Sequence, residues 1–367
     1  MPNNPSQAQW QQLYTLADRI KELAPWNDLY EDDLFGVRDP VTGEDYFISV
    51  MGASGEHCAI AVYCGALALY QFWTLRELDQ EDAEVVIPLL LSIRQLQLAF
   101  EDRENLENYD RTVIKQLGRK YRGRAAWPTF RSFMPGYLPW RIDSAEADLL
   151  IRILEQAADV LARASTDETL LEPLKEDNYL MRIPETQDGG IIWRDEVVQI
   201  TPPPFPSLEI QIPPEQIEAI RKLGKQREVE VDIVTLPAPV VDDDGRPFFP
   251  NLLMVVDSKS GVVYASEILP TADTPMRTTA NAVHTLLATF TRLGWASNTI
   301  FVRNKSAEKV LQPITKKLGV KLKVRNRLSM LDRALEELLN RFGSEWMSMP
   351  DLDDDDSRPS VRHRGRR

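Results

Sequence analysis

The chain has 367 residues, 43% hydrophobic and 27% charged, which is enough for two domains whose cores need no disulfides. Its 56 acidic against 43 basic residues leave a formal charge of −13, so on average it repels a phosphate backbone and binds nucleic acid only through a local basic patch. No apolar run approaches the ~18 residues that span a bilayer, and the start MPNNPSQAQW lacks a basic region ahead of an apolar core, so a cytoplasmic protein with no membrane partner is expected.

Between Gln7 and Leu23, the residues Trp10, Leu13, Leu16, Ala17, Ile20 and Leu23 recur at spacings of three and four. That is one face of an amphipathic helix, and Pro25 ends it. Leu34 to Leu75 reads as three short strands split by glycine-bearing turns, Asp39 to Gly43 and Gly52 to Gly55, with a helix rich in alanine and leucine after the third. Cys58 and Cys64 lie six apart on the third strand and share a face, while His57 points the other way. With no further cysteine, two reduced, buried thiols are expected rather than a metal pair. Asp79 to Glu84 is an acidic start, and Val85 to Phe100 is a strongly apolar run.

A basic stretch follows, with Arg111, Lys115, Arg119, Lys120, Arg122, Arg124 and Arg131 interleaved with Tyr121, Trp127, Phe130, Phe133 and Tyr137. Cations for phosphate and rings for stacking are what a nucleic-acid surface needs. On that reading Arg119, Lys120, Arg122 and Arg124, with the distant Arg303, are the candidate binding residues. On the other reading the rings are core or interface, and the arginines pair with the acidic surplus. Asp143, Ser144 and Glu146 then open a helix with apolar positions from Leu149 to Leu161. It should close an α+β N-terminal domain, a small antiparallel sheet with helices, over residues 7–165.

Residues 166–227 read as a connecting segment. It holds a hairpin about Asp188-Gly189-Gly190, the proline run Thr201 to Pro206, and a short helix opened by Pro213-Pro214. From Glu228 the pattern changes. Strands are expected at Val229 to Leu236, Asn251 to Asp257, Gly261 to Leu269, Thr299 to Arg303 and Val320 to Val324. Helices are expected at Met276 to Leu293, from Ser306 to Leu318, and from Ser329 to Phe342. Residues 228–343 would thus form an α/β domain, and residues 344–367, with Asp353 to Asp356 followed by arginines, a disordered tail.

Three strands, helix, strand, helix, strand, helix resembles the ribonuclease-H-like fold. Local signals are similar to the catalytic cores of retroviral-type integrases and transposases: Asp232 on the first strand, the turn Val256-Asp257-Ser258-Lys259-Ser260-Gly261, and Glu336 or Glu337 on the last helix. The resemblance implies phosphoryl transfer with Mg²⁺ or Mn²⁺, using Asp232, Asp257 and Glu336 or Glu337 as the catalytic carboxylates. The fourth strand departs from it, ending Val302-Arg303-Asn304-Lys305 where the family keeps an acid. An arginine cannot coordinate a divalent ion and repels it. The expectation is therefore a degenerate ribonuclease-H-like domain with no cofactor, kept for interaction with a protein partner. The alternative is a metal-dependent nucleic-acid enzyme or a nucleic-acid-binding protein.

The whole chain also resembles an uncharacterised bacterial two-domain family, through Asp33 to Gly52 (DLFGVRDPVTGEDYFISVMG), Val255 to Val263 (VVDSKSGVV), Ile300 to Asn304 (IFVRN) and Leu318 to Leu322 (LGVKL). That resemblance implies an architecture and no activity. His284 has no nucleophile beside it in the sequence. No phosphate-binding loop or dinucleotide fingerprint is present.

Overall fold

Ser6 caps the first helix, α1 (Gln7–Leu23): its hydroxyl accepts from the Gln9 amide, and the Gln9 side chain accepts from the Ser6 amide. Trp10, Leu13, Tyr14, Ala17 and Ile20 on one stripe of this helix enter the core. The computed structural model describes residues 4–346 apart from 56, 79–88, 168, 172–176, 204–209, 237–238, 243–244 and 271–274. The acidic start near Asp79, much of the proline run and the charged tail lie outside these described residues.

The first half continues with β1 (Phe35–Arg38), β2 (Asp45–Met51), β3 (Cys58–Cys64), α2 (Gly65–Glu77), β4 (Gln95–Glu101) and α3 (Asn108–Gln116). Then come β5 (Trp127–Phe133), β6 (Trp140–Arg141), α4 (Ser144–Ala164), β7 (Asn178–Gln187) and β8 (Gly190–Gln199). The strands form one eight-stranded sheet in the order β6-β5-β4-β3-β2-β1-β7-β8. All neighbours are antiparallel except β1 and β7. α1 and α4 bury one face, and α2 covers part of the other with Leu69 and Phe72.

This sheet is larger than the small meander expected. The apolar run ends in β4, the aromatic and basic stretch supplies β5, and the hairpin assigned to the connecting segment supplies β7 and β8. The parallel β1–β7 pairing sets Gly36 against Met181, and a Cβ on Gly36 would sit 2.0 Å from the Met181 sulfur. A side chain at Gly36 would have to displace the buried Met181 thioether, and that contact spans too much sequence to show as a local pattern.

The second half runs α5 (Pro214–Arg221), β9 (Gly224–Thr235), β10 (Val240–Val241), β11 (Pro247–Phe248), β12 (Asn251–Asp257) and β13 (Val263–Ile268). It ends with α6 (Pro275–Leu293), β14 (Trp295–Val302), α7 (Lys305–Leu318), β15 (Lys321–Val324) and α8 (Ser329–Trp346). A five-stranded mixed sheet has the order β13-β12-β9-β14-β15. β12 is antiparallel to both neighbours, and β14 is parallel to β9 and β15. α5, α6 and α7 pack on one face, while Leu331 of α8 and the adjoining Leu328 cover the other against Met254, Val256 and Phe301.

The short β10–β11 hairpin reaches back to the first sheet. The Leu138 amide donates to the Pro247 carbonyl at 2.9 Å, and Arg246 Nη2 donates to the carbonyl and the hydroxyl of Ser132, both at 3.0 Å. Among the described residues no helix is long and apolar enough to cross a membrane.

Candidate functional site

On β9 the alternation Val229-Glu230-Val231-Asp232 sends the valines towards α6 and α7 and the two acids towards α8. Glu230 is buried, and its Oε2 accepts from the amides of Met330 and Leu331 at 2.9 and 2.8 Å. A carboxylate there occupies the positive end of α8 and satisfies two of its first free N–H groups. Arg325 lies 3.8 Å from the other Glu230 oxygen and stacks 3.2 Å over the Phe301 ring.

Beside this lies the arrangement that decides the chemistry. Arg303 follows β14 directly, and its Nε donates to Asp232 Oδ2 at 2.7 Å. Its Nη2 donates to Asp332 Oδ1, in the first turn of α8, also at 2.7 Å. One guanidinium thus bridges two carboxylates from different elements. Burial would weaken the Arg303 charge, but the bonds to Asp332 and Asp232 outweigh it and hold the guanidinium above its ordinary range. Burial pushes the Asp232 carboxyl up, against the downward pull of Arg303. Asp232 Oδ1 also accepts from the Ile233 amide at 3.0 Å, so both Asp232 oxygens already have donors.

The other carboxylates singled out by resemblance do not join this cluster. Across the β9–β12 ladder Asp232 faces Met254, whereas Asp257 faces Val229, three residues along the strand. An odd offset places Asp257 on the opposite face of the sheet from Asp232. Asp257 instead organises the turn after β12. Its Oδ1 accepts from the amides of Lys259 and Ser260 at 3.0 and 2.7 Å, and its Oδ2 from the Tyr264 hydroxyl at 3.1 Å and Arg227 at 3.4 Å. Burial works against its charge, but those amide and hydroxyl bonds prevail and hold its carboxyl well below the usual range. Glu336 and Glu337 are exposed on α8, where Glu337 meets Arg333 at 3.8 Å. Among the described residues no three His, Cys, Asp or Glu side chains gather in a way that could hold a metal ion. His284 is exposed.

The basic and aromatic stretch divides in two. Tyr14, Tyr121, Trp127 and Phe130 pack ring against ring around Trp10 in the core of the first sheet. Arg119 pairs with Asp18, which also accepts from the Tyr121 hydroxyl at 3.0 Å. Arg131 is held between Asp110 and Glu107 at 2.6 and 3.0 Å. These side chains serve the fold. Lys120, Arg122 and Arg124 are exposed on the loop ahead of β5, with Asp102 3.9 Å from Arg124.

Sequence reasoning misses Glu230 and the pairing roles of Arg325 and Asp332; Arg325, in the basic stretch Lys316 to Arg327 that the alternative would set against phosphate, lies by Glu230 instead. The i, i+2 acids of Val229-Glu230-Val231-Asp232 were the available signal, since two acids on one face of a central strand need counter-charges nearby.

Residues 10–182 match the family model of a domain of unknown function (DUF7309), and residues 216–339 match that of a second (DUF6930). Both matched families lack an assigned function. No curated protein matches the chain. Among solved structures, the chain is similar to one of the simian T-cell lymphotropic virus intasome in complex with PP2A regulatory subunit B56 gamma, at 19% identity and a TM-score of 0.26, over 35% of this chain and 45% of that one. It therefore spans less than half of that neighbour. It is also similar to the HTLV-2 integrase catalytic core domain in complex with magnesium. The dimeric form matches at 16% identity and a TM-score of 0.25, over 35% of this chain and 79% of that one. The trimeric form matches at 18% and 0.24, over 36% and 80%.

Proposed function

We propose that this chain is a cytoplasmic, two-domain, non-catalytic interaction protein whose second half is a degenerate ribonuclease-H-like scaffold. The observation that carries the reading is the Arg303 bridge, with both carboxylate contacts at 2.7 Å. Two-metal phosphoryl transfer needs carboxylates that converge on ions roughly 4 Å apart. Here Asp232 and Asp332 converge on a fixed cation that has no empty orbital to offer a phosphate oxygen, and Asp257 lies on the other face. The mixed sheet flanked by helices on both faces supports the scaffold, and two free cysteines suit a reducing compartment. The partner on this reading is another protein, and no cofactor is assigned.

The test is incubation of the full chain with DNA and RNA, single- and double-stranded, in Mg²⁺ and in Mn²⁺. The expected result is no cleavage and no rise in melting temperature with either ion. Metal-dependent cleavage that disappears in Asp232→Asn would overturn the reading. Salt-sensitive binding without cleavage, lost when Lys120, Arg122 and Arg124 are changed to Ser, would replace the protein partner with nucleic acid.

A further inference from the structure

β8 is the last strand of the eight-stranded sheet, and among the described residues nothing pairs with its outer edge. At ten residues it is far longer than the two-residue strand β6 at the opposite edge. It exposes apolar side chains on both faces: Ile191 is 53%, Ile192 41% and Val197 57% exposed. A long edge with that composition is a ready template for another strand. The turn before it defines which groups are free. Asp188 and Gly189 both have positive φ, and Gln187 pairs with Gly190, a two-residue hairpin. Counting from that pair, the even residues of β8 bond to β7, and Ile191, Trp193, Asp195, Val197 and Gln199 turn their N–H and C=O outward.

A strand pairing antiparallel with its own copy across a two-fold axis must place one residue opposite itself, because pairs alternate in kind along the ladder and side chains alternate in face. Centring on Asp195 sets Arg194 opposite Glu196 of the second copy, Trp193 opposite Val197, and Ile192 opposite Val198. Every outward-facing residue from Ile191 to Gln199 then finds an opposite number. Centring on Arg194 instead sets Ile192 opposite Glu196 and Trp193 opposite Asp195, and centring on Glu196 sets Arg194 opposite Val198 and Asp195 opposite Val197. Of these registers only the one centred on Asp195 sets Arg194 against Glu196 and sets Trp193 and Ile192 against valines, with Ile191 then facing Gln199 and Asp195 facing its own copy. At its centre each Asp195 is already neutralised within its own chain, by Arg182 at 2.8 Å and by Arg163. We propose that β8 is a homodimerisation edge, joining the first sheets of two copies about a two-fold axis at Asp195.

The second copy is preferred to a foreign strand because Arg194 and Glu196, which already meet at 3.0 Å within one chain, would each find the opposite charge again across the axis. Analytical ultracentrifugation of the full chain should show a concentration-dependent dimer. Arg194→Glu sets like charges opposite at two symmetric places and should weaken self-association roughly tenfold or more, and Glu196→Arg should do the same. Mixing these two variants restores both opposite-charge pairs, so a heterodimer should form where neither homodimer does. Val197→Pro removes an outward-pointing N–H while sparing the bonds to β7, so it should give a monomer that melts within a few degrees of wild type. A wild-type chain that stays monomeric at every concentration overturns the proposal. So does a dimer indifferent to Arg194→Glu and Val197→Pro, and so does failure of the mixed variants to associate.

Discussion

Asp232 and Asp257 lie on adjacent strands of one sheet, and their charges are held in opposite ways. Asp257 has its negative charge shared among two backbone amides, a tyrosine hydroxyl and a distant arginine. Asp232 depends mainly on one side chain, Arg303, which it shares with Asp332. Backbone donors belong to the turn whatever residues flank it, so Asp257 is tied to the fold. Side-chain donors change with one substitution, so the charge on Asp232 rests on the identity of residue 303.

The comparison is broken most severely at Arg303. Arg303→Asp leaves three acids together and should cost about 3 kcal/mol of stability in the absence of divalent ions, a figure reduced from the fully buried case because the cluster is partly solvated. Urea unfolding at neutral pH measures it. The same variant should gain melting temperature from Mn²⁺ while the wild type does not. If neither responds, the guanidinium does not stand where a cation would.

Asp257→Asn should be milder, losing about 1–2 kcal/mol at pH 7, because an amide oxygen can still accept from Lys259 and Ser260. Its pH dependence has a definite sign. The folded carboxyl titrates below its unfolded value of about 3.9, so its contribution is complete above that pH and is lost as pH falls towards the folded value. The gap between wild type and Asp257→Asn in unfolding free energy should therefore narrow below about pH 4. A gap that stays constant down to pH 2 would mean that the turn, and not the charge, supplies the stability.

Glu230→Gln should cost about 1 kcal/mol, since the amide keeps an acceptor for the α8 N-terminus but gives up the favourable charge. Smallest of all, Glu337→Gln should stay within about 0.5 kcal/mol of wild type, as an exposed helical pair predicts. A large effect there would return Glu337 to the site.

Much of this architecture is written in local pattern. The stripe from Trp10 to Ile20 marks α1, and the alternation in Val229 to Val234 marks β9, whereas the Ser6 cap shows only in the structure. What local pattern cannot carry is which distant segments meet. The β7–β8 hairpin reads as a connector until Gly36 is seen against Met181. Arg119 and Tyr121 read as a nucleic-acid surface until Asp18, 103 residues from Tyr121, is seen beneath them. Arg303 stands out in the sequence as a misplaced cation, whereas nothing local ties it to its second partner, 29 residues on. A residue's chemistry is legible alone, whereas its counter-charge depends on the fold.

The grip of Arg246 on Ser132 has a mechanical meaning. The Ser132 hydroxyl also donates to Glu146, which caps α4 and holds Arg94, both contacts at 2.6 Å. A tug on the β10–β11 hairpin is thereby felt at the start of the long helix beneath the first sheet. Water can stand in for such polar links one at a time, whereas an oily seam must part all at once. The joint between the two sheets also carries an aromatic contact, Tyr137 edge-on to Phe248, so it yields less readily than its polar links alone would allow.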